Sequence, residues 1–159
     1  MVTLGAVFGI SSVFWSAPRR GPLLAVDFGG VDSNRVAVVR SCYHCFNDKD
    51  IDGVLDLCTS DVEFPDVVND SVLRGRAAIE DAFRRQFEIF DHSVVLGDVF
   101  EVGEHVVVVA HLQVYERDGG PLGSGIAAVH RYSFDGERIA KVEWMGLDDV
   151  PEPVRERLV

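Results

Sequence analysis

The feature of this sequence that most constrains its fold is a change in hydrophobic period near His92. Before this residue, apolar side chains recur every three or four positions, which is typical of helices that pack by one face. After it, apolar side chains occupy every second position in four segments separated by turn residues. Helices followed by strands in one chain predict an α+β domain, with the helices packed on one face of a sheet.

The part of the chain before His92 predicts three helices and one short strand. A cap at Asp32 or Ser33 opens the first helix, Gly75 opens the third, and a short second helix lies between them. The apolar positions at helical spacing are Val36, Val39, Tyr43, Phe46, Ile51, Val54, Leu55, Cys58, Ile79, Ala82, Phe83, Phe87 and Phe90. The strand, residues 62–64, is kept short by Pro65, which lacks the amide N–H that a sheet needs.

The part after His92 predicts four strands. They lie at about residues 93–101, 105–115, 125–134 and 138–145. Because each is joined to the next by residues that tight reversals use, the strands form an antiparallel meander. A curved antiparallel sheet wrapped around three N-terminal helices is cone-shaped and encloses a pocket. The inner face of this cone is predicted to carry Val106, Val108, Ala110, Leu112, Val114, Ala140, Val142 and Trp144.

The ends of the domain and the location of the protein follow from the N-terminal segment and the cysteines. Residues 2–15 are apolar but shorter than the ~20 residues of a spanning helix, so no membrane partner is expected. Proline and glycine then interrupt the chain, and we expect residues 1–31 to be a non-catalytic extension and residues 32–159 to be the domain. Three cysteines, an odd number, favour a reducing compartment, which predicts a cytoplasmic protein without disulfides.

Charge and surface patterning predict the partners of this chain. The 26 Asp and Glu against 15 Lys and Arg give a net charge of −11, which repels phosphate backbones and excludes nucleic acid as a partner. The predicted outer face of the second long strand, residues 107–115, is still apolar. We therefore expect it to meet a second copy of the chain in a homodimer.

Several short segments together form a pattern that is typical of one protein family: Asn47-Asp48-Lys49-Asp50, Ser60-Asp61, Leu73-Arg74-Gly75-Arg76-Ala77-Ala78-Ile79, and Asp135-Gly136 with Arg138-Ile139 at the last hairpin. In these segments the chain resembles the SnoaL-like and ketosteroid-isomerase-like proteins of the nuclear transport factor 2 superfold. The resemblance covers about residues 34–148 and implies the cone-shaped fold. It is less specific for function, because this superfold includes isomerases, dehydratases, cyclases, epoxide hydrolases and non-catalytic binders.

The resemblance also implies candidate catalytic residues. Ketosteroid isomerases carry a general-base aspartate nine residues before a Gly-Arg pair, and Asp66 stands nine before Gly75. Their second acid corresponds to His130, four residues before Phe134. The oxyanion tyrosine falls on Cys42, with Tyr43 beside it, and a thiol is a weaker donor than a phenol. We therefore expect little ketosteroid isomerase activity.

The same residues also have ordinary structural interpretations, which stay open at this point. Asp66 follows Pro65 and precedes a polar loop, as a turn-forming aspartate does. His130 shares an apolar strand face, as a hydrogen-bonded core histidine does. In an apolar cone, however, a poorly solvated carboxylate is a good proton acceptor, and a nearby imidazole can donate a proton or orient a substrate.

Two functions therefore compete. The first is binding of a small hydrophobic molecule with its cofactor-independent isomerisation, dehydration or cyclisation, in which Asp66 is the base and His130 the acid or orienting group. The alternative is a non-catalytic ligand-binding or dimerisation module. Neither needs a cofactor, and no metal site is expected. The predicted substrate-binding residues are Cys42, Tyr43, Phe64, Phe83, Val108, Leu112 and Trp144.

Overall fold

A six-stranded sheet curves around three helices in the computed structural model of the chain, which describes residues 33–66, 69–116 and 121–156. The helices are α1 (Asn34–Asn47), α2 (Ile51–Asp56), α3 (Arg76–Ile89) and the short α4 (Glu152–Arg155). The strands are β1 (Cys58–Asp66), β2 (Ser71–Arg74), β3 (Phe90–Val102), β4 (His105–Glu116), β5 (Pro121–Asp135) and β6 (Arg138–Trp144). The α+β fold class is therefore confirmed. The predicted extension, residues 1–31, lies outside the described residues.

Local signals place the helix ends where the sequence predicts them. The side chain of Ser33 accepts a hydrogen bond from the backbone N–H of Val36, at 3.3 Å, and so caps α1. Gly75 directly precedes α3 with φ of +82°, a backbone conformation that side chains with a Cβ rarely adopt. No helix in the described part of the chain is long and apolar enough to cross a membrane.

The strand order across the sheet is β2-β1-β6-β5-β4-β3. Strands β3 to β6 form the predicted antiparallel meander, but β1 pairs with β6 in parallel. The sheet is therefore mixed, because α3 carries the chain from β2 to β3 at the far edge and leaves β1 beside the last strand of the meander.

The first strand is longer than the sequence predicts. β1 extends over Cys58–Asp66, so Cys58 begins a strand instead of ending the second helix, and the unpredicted β2 pairs with its second half. The pairing of β1 with β6 ends at Glu63. Because Pro65 lies beyond this point and pairs only with β2, its missing N–H removes no hydrogen bond to β6.

The outer face of the sheet is partly covered by the chain's own C-terminal segment. Val107, Val109 and Val129 are buried against Val150 and Val154, which follow β6. The apolar surface that suggested a homodimer is therefore smaller than the sequence indicates, since two of its valines pack within the monomer.

Candidate functional site

A cavity of about 120 Å³, partly open to solvent, lies between the inner face of the sheet and the helices. An apolar cavity of about 150 Å³ holds one benzene ring, so this cavity encloses a single small ring at most, and a longer ligand extends through its opening. Its walls are mainly apolar and aromatic, and they include Phe46, Phe64, Phe83, Leu112, Val142 and Trp144. Such walls exclude water and favour hydrophobic ligands.

Six of the seven predicted substrate-binding residues line this cavity. They are Cys42, Tyr43, Phe64, Phe83, Leu112 and Trp144. Val108 is not among the lining residues; it is fully buried in the core and lies opposite His130 in the β4–β5 register.

The two predicted catalytic residues are not brought together at this cavity. His130 lines it, as does Pro65, but the neighbouring Asp66 is not among the lining residues. The Asp66 carboxylate instead accepts hydrogen bonds at the β1–β2 turn, from the backbone N–H of Asn69 at 3.2 Å and from the Asn69 amide at 2.8 Å. The Ser71 hydroxyl donates to it at 3.5 Å. This is the geometry of a turn-forming aspartate.

His130 is held by a tyrosine on α1. The Tyr43 hydroxyl and Nδ1 of His130 are 2.6 Å apart. Burial lowers the pKa of His130 to about 4, so the imidazole is neutral near pH 7, and burial raises the pKa of Tyr43, which keeps its proton. Because a phenol is the better donor and the imidazole lone pair the better acceptor, we assign the hydrogen bond from Tyr43 to Nδ1. The proton of His130 is then on Nε2.

Nε2 of His130 has no hydrogen-bond partner among the described residues, although it is buried. The imidazole lies against Trp144, with 5.4 Å between ring centroids. A buried N–H without a partner costs about 1–3 kcal/mol. His130 therefore presents an unused donor within an apolar cavity.

Cys42 occupies the predicted oxyanion position but has little capacity to act there. Burial raises the pKa of its thiol well above the usual range, so it stays a neutral, weak donor. The adjacent Tyr43 is committed to His130, and its ring also packs edge-on against Tyr132 at 6.0 Å. The expectation of weak oxyanion stabilisation from α1 is consistent with this arrangement.

A second histidine, which sequence reasoning missed, also lines the cavity. His92 is 5% exposed, and its Nε2 lies 3.1 Å from the amide nitrogen of Gln86 on α3. An amide nitrogen only donates, so Nε2 accepts and the imidazole proton is on Nδ1. Nδ1 is buried and has no partner in the described ranges. The available signal was the alternation of His92 with the inward-facing Val94 at the start of β3.

The chemistry open to this site is that of neutral hydrogen-bond donors in an apolar cavity. Within residues 33–66, 69–116 and 121–156, no group of three or more His, Cys, Asp or Glu side chains is arranged to hold a metal ion. Neutral N–H groups of this kind bind a carbonyl or hydroxyl oxygen, and they favour uncharged ligands because the walls solvate charge poorly.

Known proteins share this fold. The sequence model of the SnoaL-like domain matches residues 39–142, while no curated protein matches the chain. An NTF2-like protein of unknown function from Burkholderia pseudomallei superposes with a TM-score of 0.64 at 23% identity, covering 71% of this chain and 90% of the other.

Two further solved structures contain ligands. A Mycobacterium tuberculosis protein in complex with estradiol-17β-hemisuccinate superposes with a TM-score of 0.62 at 18% identity, covering 73% of this chain and 96% of the other. TerC, co-crystallised with polyporic acid, superposes with a TM-score of 0.62 at 20% identity, and the superposition covers 71% of this chain and 91% of TerC. At these identities the likeness establishes the fold alone.

Proposed function

The chain belongs to the SnoaL-like domain family, and on that basis we propose that its cavity binds a small apolar molecule through an oxygen that accepts a hydrogen bond from His130. The observation that carries the proposal is the buried, unpartnered Nε2 of His130. A ligand oxygen at this position removes the cost of the unpaired donor, and the aromatic walls bury the rest of the ligand.

The solved relatives are consistent with this proposal. The Mycobacterium tuberculosis protein and TerC were each crystallised with a ring-containing organic molecule that carries oxygen atoms. The feature that these ligands share with the proposed one is a ring system that carries an oxygen acceptor.

Cofactor-independent isomerisation, dehydration or cyclisation is the second candidate. The position of Asp66 next to Pro65, which lines the cavity, favours it. The Asp66 side chain would first have to leave its hydrogen bonds with Asn69 and Ser71 and turn toward the cavity. In that reaction His130 is the group that orients and polarises a carbonyl oxygen, since a neutral imidazole N–H is a donor and a weak acid.

A homodimer and a cytoplasmic location remain predictions from the sequence. The exposed remainder of the proposed dimer surface includes His111 on β4 and Val95 on β3, which is 49% exposed.

Comparing 2-naphthol with naphthalene tests the binding proposal, because the two differ by one oxygen. We expect the wild-type protein to bind 2-naphthol about 10-fold more tightly, which corresponds to one buried hydrogen bond. In His130→Phe, which keeps a ring in place, this preference should disappear. Dissociation constants come from NMR shift titrations of the ¹⁵N-labelled full chain.

The control is His111→Phe, the same substitution at an exposed site on the outer face of β4. It should keep the preference for 2-naphthol. Equal affinities of the wild-type protein for both molecules, or binding of neither, would overturn the proposed function.

A further inference from the structure

The cavity has a second polar end, formed by His92 and Gln86. We infer that the natural ligand is an uncharged molecule with two hydrogen-bonding oxygens, one at each end of an apolar body, and that His92 binds the oxygen farther from His130. This inference rests on the proposed function and specifies the class of ligand that the cavity takes.

His92 lines the cavity and has one ring nitrogen unused. Gln86 occupies Nε2 at 3.1 Å, which leaves the proton on Nδ1, and Nδ1 is buried without a partner in the described part of the chain. Aromatic rings surround the imidazole, with centroids 5.6–6.4 Å away: Phe46, Phe87 and Phe90. A structural core histidine would use both ring nitrogens, whereas His92 uses one.

The strand register and the contacts with α1 indicate that the two imidazoles lie apart along the cavity. His130 pairs in register with Val108 and His92 with Val114, six residues apart on β4, which is about 20 Å along an extended strand. The curvature of the sheet shortens this separation through space. On the opposite wall, Tyr43 contacts His130 and Phe46 contacts His92, and these residues lie almost one turn apart on α1.

The ring contacts lead to the same conclusion. His130 contacts Tyr43 and Trp144, whereas His92 contacts a separate group of phenylalanines on α1, α3 and β3. His130 and His92 contact different groups of rings, so we expect a single ligand oxygen to meet only one of the two donors. A rigid ring system with an oxygen at each end would meet both.

The walls between these ends specify an uncharged ligand. No Lys, Arg, Asp or Glu side chain of the described ranges lines the cavity. An ionised ligand group would therefore lose its hydration without a partner of opposite charge. Diols, hydroxyketones and diketones on fused or linked rings fit these requirements.

Two pairs of rigid probes of different length test the inference. Naphthalene-2,6-diol is compared with 2-naphthol, and biphenyl-4,4′-diol with 4-hydroxybiphenyl. A hydroxyl group both donates and accepts hydrogen bonds, so the probes can bind either tautomer of an imidazole. In at least one pair, we expect the diol to bind the full chain about 3- to 10-fold more tightly than its mono-alcohol.

The variant His92→Phe should remove this gain, so that the diol and the mono-alcohol of each pair bind with similar affinities. Phenylalanine suits the aromatic surroundings but also removes the acceptor of the Gln86 amide, so the melting temperature checks that the fold is preserved. The variant His111→Phe should keep the gain.

The outcomes separate this inference from the proposed function. If the affinity for the mono-alcohols depends on His130 but the second hydroxyl adds no affinity in either pair, the two-ended ligand is overturned and the proposed function stays intact. A gain that persists in His92→Phe would overturn the assignment of His92. Failure of all four probes to bind in the cavity would overturn both.

Discussion

Acidification from about pH 7.5 to about pH 5 is expected to lower the free energy of unfolding by about 2 kcal/mol for each of His92 and His130. Burial lowers the pKa of both imidazoles to about 4, and for His92 the nearby Asp91 opposes this effect while Lys49 adds to it. The pKa of these histidines is near 6.5 in the unfolded chain and near 4 in the folded protein. At pH values between these two, the histidines bind protons in the unfolded chain but stay neutral in the folded protein. Stability is therefore greatest above the unfolded value and falls with decreasing pH through this window.

Urea unfolding at several pH values measures this effect. Between about pH 7.5 and pH 5, the free energy of unfolding should decline less in each variant, His92→Phe or His130→Phe, than in the wild-type protein, by about 2 kcal/mol. The effect of the other titratable groups is common to all variants and cancels in the comparison. If the free energy of unfolding falls with pH equally in the variants and the wild-type protein, the prediction is wrong and these histidines titrate as exposed groups do.

Replacement of Tyr43 by Phe is expected to destabilise the fold by about 1–3 kcal/mol, because Nδ1 of His130 then loses its partner in a buried site. The same change removes the hydrogen bond that fixes the tautomer of His130. Since the proton is no longer held on Nε2, the affinity for 2-naphthol should fall several-fold as well.

A double-mutant cycle isolates this contact. When His130 is already Phe, the change Tyr43→Phe should cost much less, because no buried imidazole nitrogen is left unpaired. Tyr115→Phe is the matched control, because the Tyr115 hydroxyl makes a 3.4 Å hydrogen bond to Gln113 and no other among the described residues. Additive costs of the two substitutions would contradict a hydrogen bond between Tyr43 and His130.

The fold was largely predictable because its signals are local. The change of period near His92, the Ser33 cap, and the glycines at 75, 103 and 136, all with positive φ, lie within single elements or turns. The parallel pairing of β1 with β6 was not predictable, since it joins residues about eighty positions apart, such as Cys58 and Ile139. The four-residue strand β2 is too short and too exposed to produce a pattern of its own.

The site was predictable where it depends on alternation along strands and helices. Leu112, His130 and Trp144 face inward as their spacing requires. The roles of individual polar atoms were not predictable, because they depend on contacts between elements. Gln86 gives His92 its free Nδ1–H, and the Asn69 amide engages the Asp66 carboxylate.

The central claim is that Nε2 of His130 donates to a ligand oxygen, and a crystal structure of the full chain with 2-naphthol tests it most directly. The ring should lie among Phe64, Phe83 and Trp144, with its oxygen about 2.7–3.2 Å from Nε2. Asp66 should keep its hydrogen bonds to Asn69 if the chain only binds its ligand, and turn toward the ligand if it catalyses a reaction. A ring seated with its oxygen away from His130, or bound outside the cavity, would contradict the account.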